Sequence, residues 1–167
     1  MLSFRKKGAA FLSNSHYLPI KLTVPLAGIH FQTEDGLSFS LKEKKAIVSW
    51  IDKIIKQQGK QRGELLYFFC TDKYLHTINK KFLKHDTYTD IITFDYSGED
   101  KISGEIYISV ERIKENAATY KQPFNKELAR TIIHGVLHLC GHSDKTAGMK
   151  KKMRQLEDDA LRLLNHK

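Results

Sequence analysis

The sequence predicts an α+β domain: a mixed sheet of about four strands packed with about five helices. Three observations lead there. Strand-length apolar runs at residues 65–70, 90–96 and 102–110 alternate with stretches of helical period. Two of those runs are separated only by a turn, Ser97-Gly98-Glu99-Asp100, which makes them antiparallel neighbours. Residues 126–140 carry Leu128, Ile132, Ile133, Val136, Leu137 and Leu139 nearly all round one helix, so that helix must be central and buried.

In chain order, residues 1 to about 24 show no sustained period and include Ser13, Asn14, Ser15 and Pro19. They read as a flexible extension over residues 1–23, with the domain itself at 24–167. A short strand is expected near residues 28–32, followed by a turn at Glu34-Asp35-Gly36. Ser40-Leu41-Lys42-Glu43 has the form of a capping box, and Ile47, Trp50, Ile51, Ile54 and Ile55 then recur at helical spacing until Gly59. Residues 65–70 form a continuous apolar, aromatic-rich run, the pattern of a strand covered on both faces. Asp72 is placed to cap a helix carrying Tyr74, Leu75, Ile78 and Phe82, and a polar loop follows at residues 84–89. The antiparallel strands come next, then a polar helix at residues 111–120 broken by Pro123. Asn125 is expected to cap the central helix and Gly141 to terminate it. A last helix from Thr146 repeats Met149, Met153, Leu156, Ala160 and Leu163.

Composition narrows the function classes. The 41% apolar and 28% charged fractions suit a globular chain, and 167 residues suffice for one buried core. No apolar run approaches the ~20 residues of a membrane-spanning helix. Arg5-Lys6-Lys7 precedes only Ala9-Ala10-Phe11-Leu12, too short for a secretory leader, so a cytoplasmic location is expected. Cys70 and Cys140 sit in apolar surroundings and read as small buried hydrophobes. A net charge of +9 suits an RNA or phosphate partner, but also suits solvated lysine faces, and does not decide between them.

The stretch that carries chemistry is His134-Gly135-Val136-Leu137-His138-Leu139-Cys140-Gly141-His142-Ser143-Asp144. Histidines four apart on a helix share a face, so both imidazoles can reach one ion. Gly141 supplies a left-handed cap that turns the backbone back toward that face. A third ligand just past the turn would complete an open site of three protein ligands, the arrangement of catalytic rather than structural zinc. His142 follows the cap directly and is carried past the helix end, whereas Asp144 has two more residues in which to return. Imidazoles on an otherwise apolar helix need a partner, and a metal is a shared one.

This stretch resembles the H-G-x-L-H-L-x-G motif of YbeY-type endoribonucleases, bacterial rRNA maturation factors. Asn79-Lys80-Lys81-Phe82 is similar to the family's N-x-x-[YF] segment. Thr89-Asp90-Ile91-Ile92-Thr93-Phe94 resembles its T-D-V-L-S-F strand, and Ser103-Gly104-Glu105-Ile106-Tyr107-Ile108-Ser109 its G-[DE]-I-x-I-S strand. The four blocks fall in the family's order from about Val24 to the C-terminus. The resemblance implies a zinc-dependent, single-strand-specific endoribonuclease of ribosomal RNA, with one Zn²⁺ on His134, His138 and Asp144. It also implies ribosomal RNA and the small ribosomal subunit, or its assembly factors, as partners. Two positions depart from the family pattern: Asp144 stands where a third histidine is usual, and Leu83 where an arginine usually follows N-x-x-[YF].

Lys80, Lys81, Lys84 and Arg130 are the expected RNA-binding cations. Asp90 and Glu105 are candidate general bases by position alone, and neither is assigned that role. Two other readings stand beside the nuclease. One is a non-catalytic, ribosome-associated module with a structural metal, which Leu83 favours. The other is a zincin-like metallopeptidase, which Gly135 opposes because zincins carry a glutamate base there.

Overall fold

The computed structural model describes the backbone of Leu2–Arg5 and residues 28–164 in full. Eleven elements follow one another. They are β1 (Leu2–Arg5), β2 (Ile29–Thr33), α1 (Lys44–Gln57), β3 (Gln61–Cys70), α2 (Asp72–Ile78), a π-helical turn (Asn79–Leu83), β4 (Ile91–Asp95), β5 (Lys101–Ser109), α3 (Val110–Thr119), α4 (Phe124–Leu139) and α5 (Ala147–Leu164).

The sheet has the order β1-β4-β5-β3-β2. β2, β3 and β5 run parallel, and β4 is antiparallel to β5 with Thr93 opposite Ile106. This is the expected mixed sheet, with the expected hairpin between β4 and β5. An additional edge strand, β1, pairs in parallel with β4. It lies in the stretch read from the sequence as an extension; residues 6–27, which make up most of that stretch, lie outside the described residues.

Alternation along the strands sorts two apolar clusters onto opposite faces. Leu65, Tyr67 and Phe69 of β3, Ile91 of β4, and Ile102, Ile106 and Ile108 of β5 face the large core, shared with α1, α3, α4 and α5. Phe68, Cys70, Ile92 and Tyr107 face a smaller cluster covered by Leu75 and Ile78 of α2 and by Phe82 and Leu83 of the π-turn. That double cover is why β3 reads as continuously apolar. α5 is tied to α1 by the indole of Trp50, which donates to the Ala160 carbonyl at 2.8 Å.

Three helix starts differ from the sequence expectation, each for a local reason. Ser40 does not cap α1. Leu37, Phe39 and Leu41 alternate into the core, so the helix begins only at Lys44, after Glu43 in the left-handed region. Thr71, not Asp72, caps α2, with its hydroxyl accepting from the Tyr74 N–H at 3.2 Å. The Asp72 carboxylate is engaged by Arg112 at 2.5 Å. α4 starts at Phe124, and the Pro123 carbonyl takes its first bonds from Lys126 and Glu127, which places Asn125 inside the first turn.

Candidate metal centre and adjoining cleft

Gly135 sets how α4 lies. A Cβ there would stand 3.0 Å from Ile106 Cγ2 and 3.1 Å from Ile91 Cδ1, so any side chain would press these isoleucines aside, and glycine lets the helix approach the sheet this closely. With residue 135 pressed on β4 and β5, His134 and His138 turn toward α5 and the chain beyond the helix. The same packing leaves no room at position 135 for the glutamate a zincin places there.

The helix ends in a Schellman turn. Gly141 has φ +97°, its N–H reaches the His138 carbonyl at 2.9 Å, and the His142 N–H reaches the Leu137 carbonyl at 3.0 Å. This turn swings the His142 carbonyl back over the helix, where it accepts from His138 Nδ1 at 2.9 Å. His134 Nδ1 in turn meets Glu157 Oε1 at 2.5 Å. In the neutral tautomers that place both Nδ1 protons on these oxygen acceptors, each Nε2 is free to act as a ligand atom.

Those two Nε2 atoms face each other at 2.9 Å. At that distance one shared proton joins the rings as an N–H···N hydrogen bond, and a metal ion could take the proton's place. Asp144 brings a carboxylate to the same point, its Oδ1 at 3.9 Å from His138 Nε2, and one ligand atom from each of the three residues lies within 4.8 Å of the others. Ligands bonded tetrahedrally to one zinc at about 2.0–2.1 Å stand about 3.3 Å apart, so small side-chain adjustments suffice for these residues to hold an ion. Their donor set also suits one: each imidazole is oriented through its other nitrogen, as metal-bound histidines ordinarily are. Burial, and then the facing His134, push the His138 imidazolium pKa down to about 4, so the ring offers its lone pair at neutral pH.

The competing donors go elsewhere. His142 Nε2 meets Gln58 Oε1 at 2.8 Å, at the end of α1. Cys140 packs against the large core, and burial raises its thiol to about 11.

Glu157 escaped the sequence reading. It is 5% exposed and accepts from His134 on one oxygen and from Arg130 on the other at 3.0 Å. Arg130 is also held by Asp158 at 2.7 Å. Burial alone would raise the Glu157 carboxyl, but the hydrogen bonds and charges of His134 and Arg130 outweigh it and hold the group below its ordinary value. The signal was in the sequence: position 157 falls on the apolar stripe of α5, between Met153 and Ala160, where a carboxylate needs a partner.

A cleft of about 180 Å³ opens beside His134, between the start of β4, the end of α3, the outward face of α4, and α5. Asp90 and Arg130 line it, so two of the sequence candidates share it with His134. Glu105 does not. It sits on the sheet face opposite α4, buried, with the Tyr107 hydroxyl donating to it at 3.1 Å. Lys80, Lys81 and Lys84 belong to the π-turn region on that same opposite face, away from the cleft lining. Lys80 pairs with Asp86 at 3.0 Å, and Lys81 lies over the Phe82 ring. Leu83 packs into the smaller apolar cluster.

The fold and site define a class: an α+β domain in which one buried helix and its terminal turn bring two histidines and a carboxylate together. Residues 29–165 match the family model described as Endoribonuclease YbeY. A Flavobacterium psychrophilum protein named Endoribonuclease YbeY is 47% identical over 78% of this chain and 94% of its own. A Phocaeicola vulgatus protein of the same name is 44% identical over 82% and 99%. A solution structure of a Thermotoga maritima protein superposes with a TM-score of 0.56 at 25% identity, covering 81% of this chain and 88% of that one. The chain belongs to the YbeY endoribonuclease family.

Proposed function

We propose that this chain is a zinc-dependent, single-strand-specific endoribonuclease that acts in ribosomal RNA maturation and small-subunit assembly in the cytoplasm. Its activity resides in the domain from residue 24 onward, with one Zn²⁺ held by His134, His138 and Asp144. The observation that carries the reading is the pair of Nε2 atoms facing each other at 2.9 Å beside the Asp144 carboxylate. When bound, such an ion supplies Lewis-acid activation of water and of a phosphodiester oxygen. Glu157 and the His142 carbonyl fix the two imidazoles, and the three protein ligands leave a fourth position for substrate or solvent. No helix is long and apolar enough to cross a membrane among the described residues. Ribosomal RNA is the proposed substrate, and the small subunit or its assembly factors the proposed partners.

The non-catalytic alternative draws on one observation: Leu83 is packed into an apolar cluster, so the position where the family usually carries an arginine offers no cation. The experiment is cleavage of single-stranded RNA by purified protein, with and without a chelator, and by His134→Ala. Loss of cleavage in both supports the nuclease. RNA binding without cleavage at any metal concentration favours the alternative, and unchanged cleavage by His134→Ala places the active site elsewhere.

A further inference from the structure

The metal centre uses only one end of the cleft. The rest has a mixed lining that includes Arg130, one of the expected RNA-binding cations, and Arg154, which is over half exposed and meets Glu157 at 3.4 Å. Asp90 and Glu127 are carboxylates, and Arg130 is already held by Glu157 and Asp158. Glu127 is 6% exposed, yet among the described residues its carboxylate accepts no hydrogen bond and forms no ion pair; Arg130 and Arg154 act on it only through space. Its oxygens open onto the cleft, where a ligand can donate to them. Burial holds its carboxyl above the ordinary range. Across the cleft stands Tyr120, a large ring that is 56% exposed.

We propose that this cleft is a nucleobase pocket that selects guanine, with the Watson–Crick edge of the base donating to Glu127 and its face covered by Tyr120. The inference rests on RNA as the substrate and deepens that reading. Guanine is the one RNA base that presents two adjacent donors, N1–H and the N2 amino group, to match the two oxygens of one carboxylate. Adenine and cytosine set an acceptor beside their amino group, and uracil flanks its single N–H with two carbonyls. Each of these would turn a lone pair toward a Glu127 oxygen. Single-stranded RNA is read in this manner, by stacking a splayed base on an aromatic ring and bonding its edge. His134 lines the same cleft, so a nucleotide seated there lies beside the candidate metal centre.

The test measures binding of short fluorescein-labelled oligouridylates with one central guanosine, inosine, adenosine or uridine to the full-length protein in EDTA. Inosine keeps N1–H and lacks the N2 amino group. Guanosine should bind about tenfold tighter than inosine, the scale of one hydrogen bond to a charged group, with adenosine and uridine weaker still. Glu127→Gln should erase the guanosine–inosine gap, and Tyr120→Ala should weaken all four oligomers together. Equal affinity of the wild type for guanosine and inosine overturns the proposal, as does a full gap in a Glu127→Gln protein with native melting. If Glu127→Gln fails to fold, the wild-type series and Tyr120→Ala still decide. Cleavage of the same oligomers with zinc separates the two readings. Cleavage without guanosine-selective binding sinks the pocket alone, and guanosine-selective binding without cleavage sinks the nuclease alone.

Discussion

Glu157→Gln tests whether the carboxylate behind His134 is part of the metal centre. In the wild type, one Glu157 oxygen takes the His134 Nδ1 proton at 2.5 Å and the other takes Arg130 at 3.0 Å, in a residue 5% exposed. The amide keeps the shape but loses the charge, and it has only one oxygen for the three donors His134, Arg130 and Arg154. Removing the group that orients a metal-bound histidine ordinarily lowers metal affinity about 10–100-fold, or about 1.4–2.7 kcal/mol. Breaking a buried ion pair outright costs about 3–5 kcal/mol. Arg130 retains Asp158 at 2.7 Å, so a smaller loss of about 1–2 kcal/mol is expected, a melting shift of a few degrees. The Glu157 carboxyl is held below its ordinary value in the fold, so its contribution is present above the unfolded carboxyl's pKa and is lost as pH falls through the lowered folded one. The stability gap between wild type and variant should therefore close in acid. Zinc affinity read by competition with a chromophoric chelator, beside melting curves at neutral and acid pH, supplies both numbers. Wild-type zinc affinity in a folded variant would refute the orienting role.

Other outcomes follow from the same geometry. Asp144→Ala should lose zinc affinity at least tenfold, while His142→Ala, whose ring is turned to Gln58, should retain it; the reverse pattern in a zinc titration overturns the ligand set. Asp144→His should still bind zinc. Gly104→Ala places a Cβ 2.4 Å from the Phe94 carbonyl oxygen and 2.9 Å from Leu139 Cδ2, forcing β4 and β5 apart. It should cost about 3 kcal/mol or more, and a melting temperature within a degree of wild type would contradict the packing. Glu105 is raised by burial, so its ionised form weakens the fold as pH rises above the unfolded carboxyl's pKa. Burial outweighs the Tyr107 hydrogen bond, so Glu105→Gln should melt higher than wild type near pH 7 and lose that advantage in acid.

Much of this was legible because it depends on local pattern. The period of α4, the double apolar cover of β3 and the short turn between β4 and β5 each follow from residues within one segment. The same holds for the convergence at the candidate metal site: the four-residue spacing and the glycine cap already bring His134, His138 and the returning chain together. What could not be read depends on partners far along the chain. Asp72 is diverted from capping by Arg112, and Ser40 is bypassed because Leu37, Phe39 and Leu41 pack first. Glu157 reaches His134 only once α5 has folded back on α4. The placing of Asp90 was equally invisible: it lies just before β4 and lines the cleft, whereas Glu105 lies within β5 on the face away from α4.

The most direct test of the central claim is a zinc titration of chelator-stripped protein with cleavage of a single-stranded RNA as the readout. Activity should return linearly and break at one equivalent of zinc, and His138→Ala should recover none at that point. Full cleavage by the stripped protein, or a His138→Ala titration superimposable on the wild type, would contradict a reaction run at His134, His138 and Asp144.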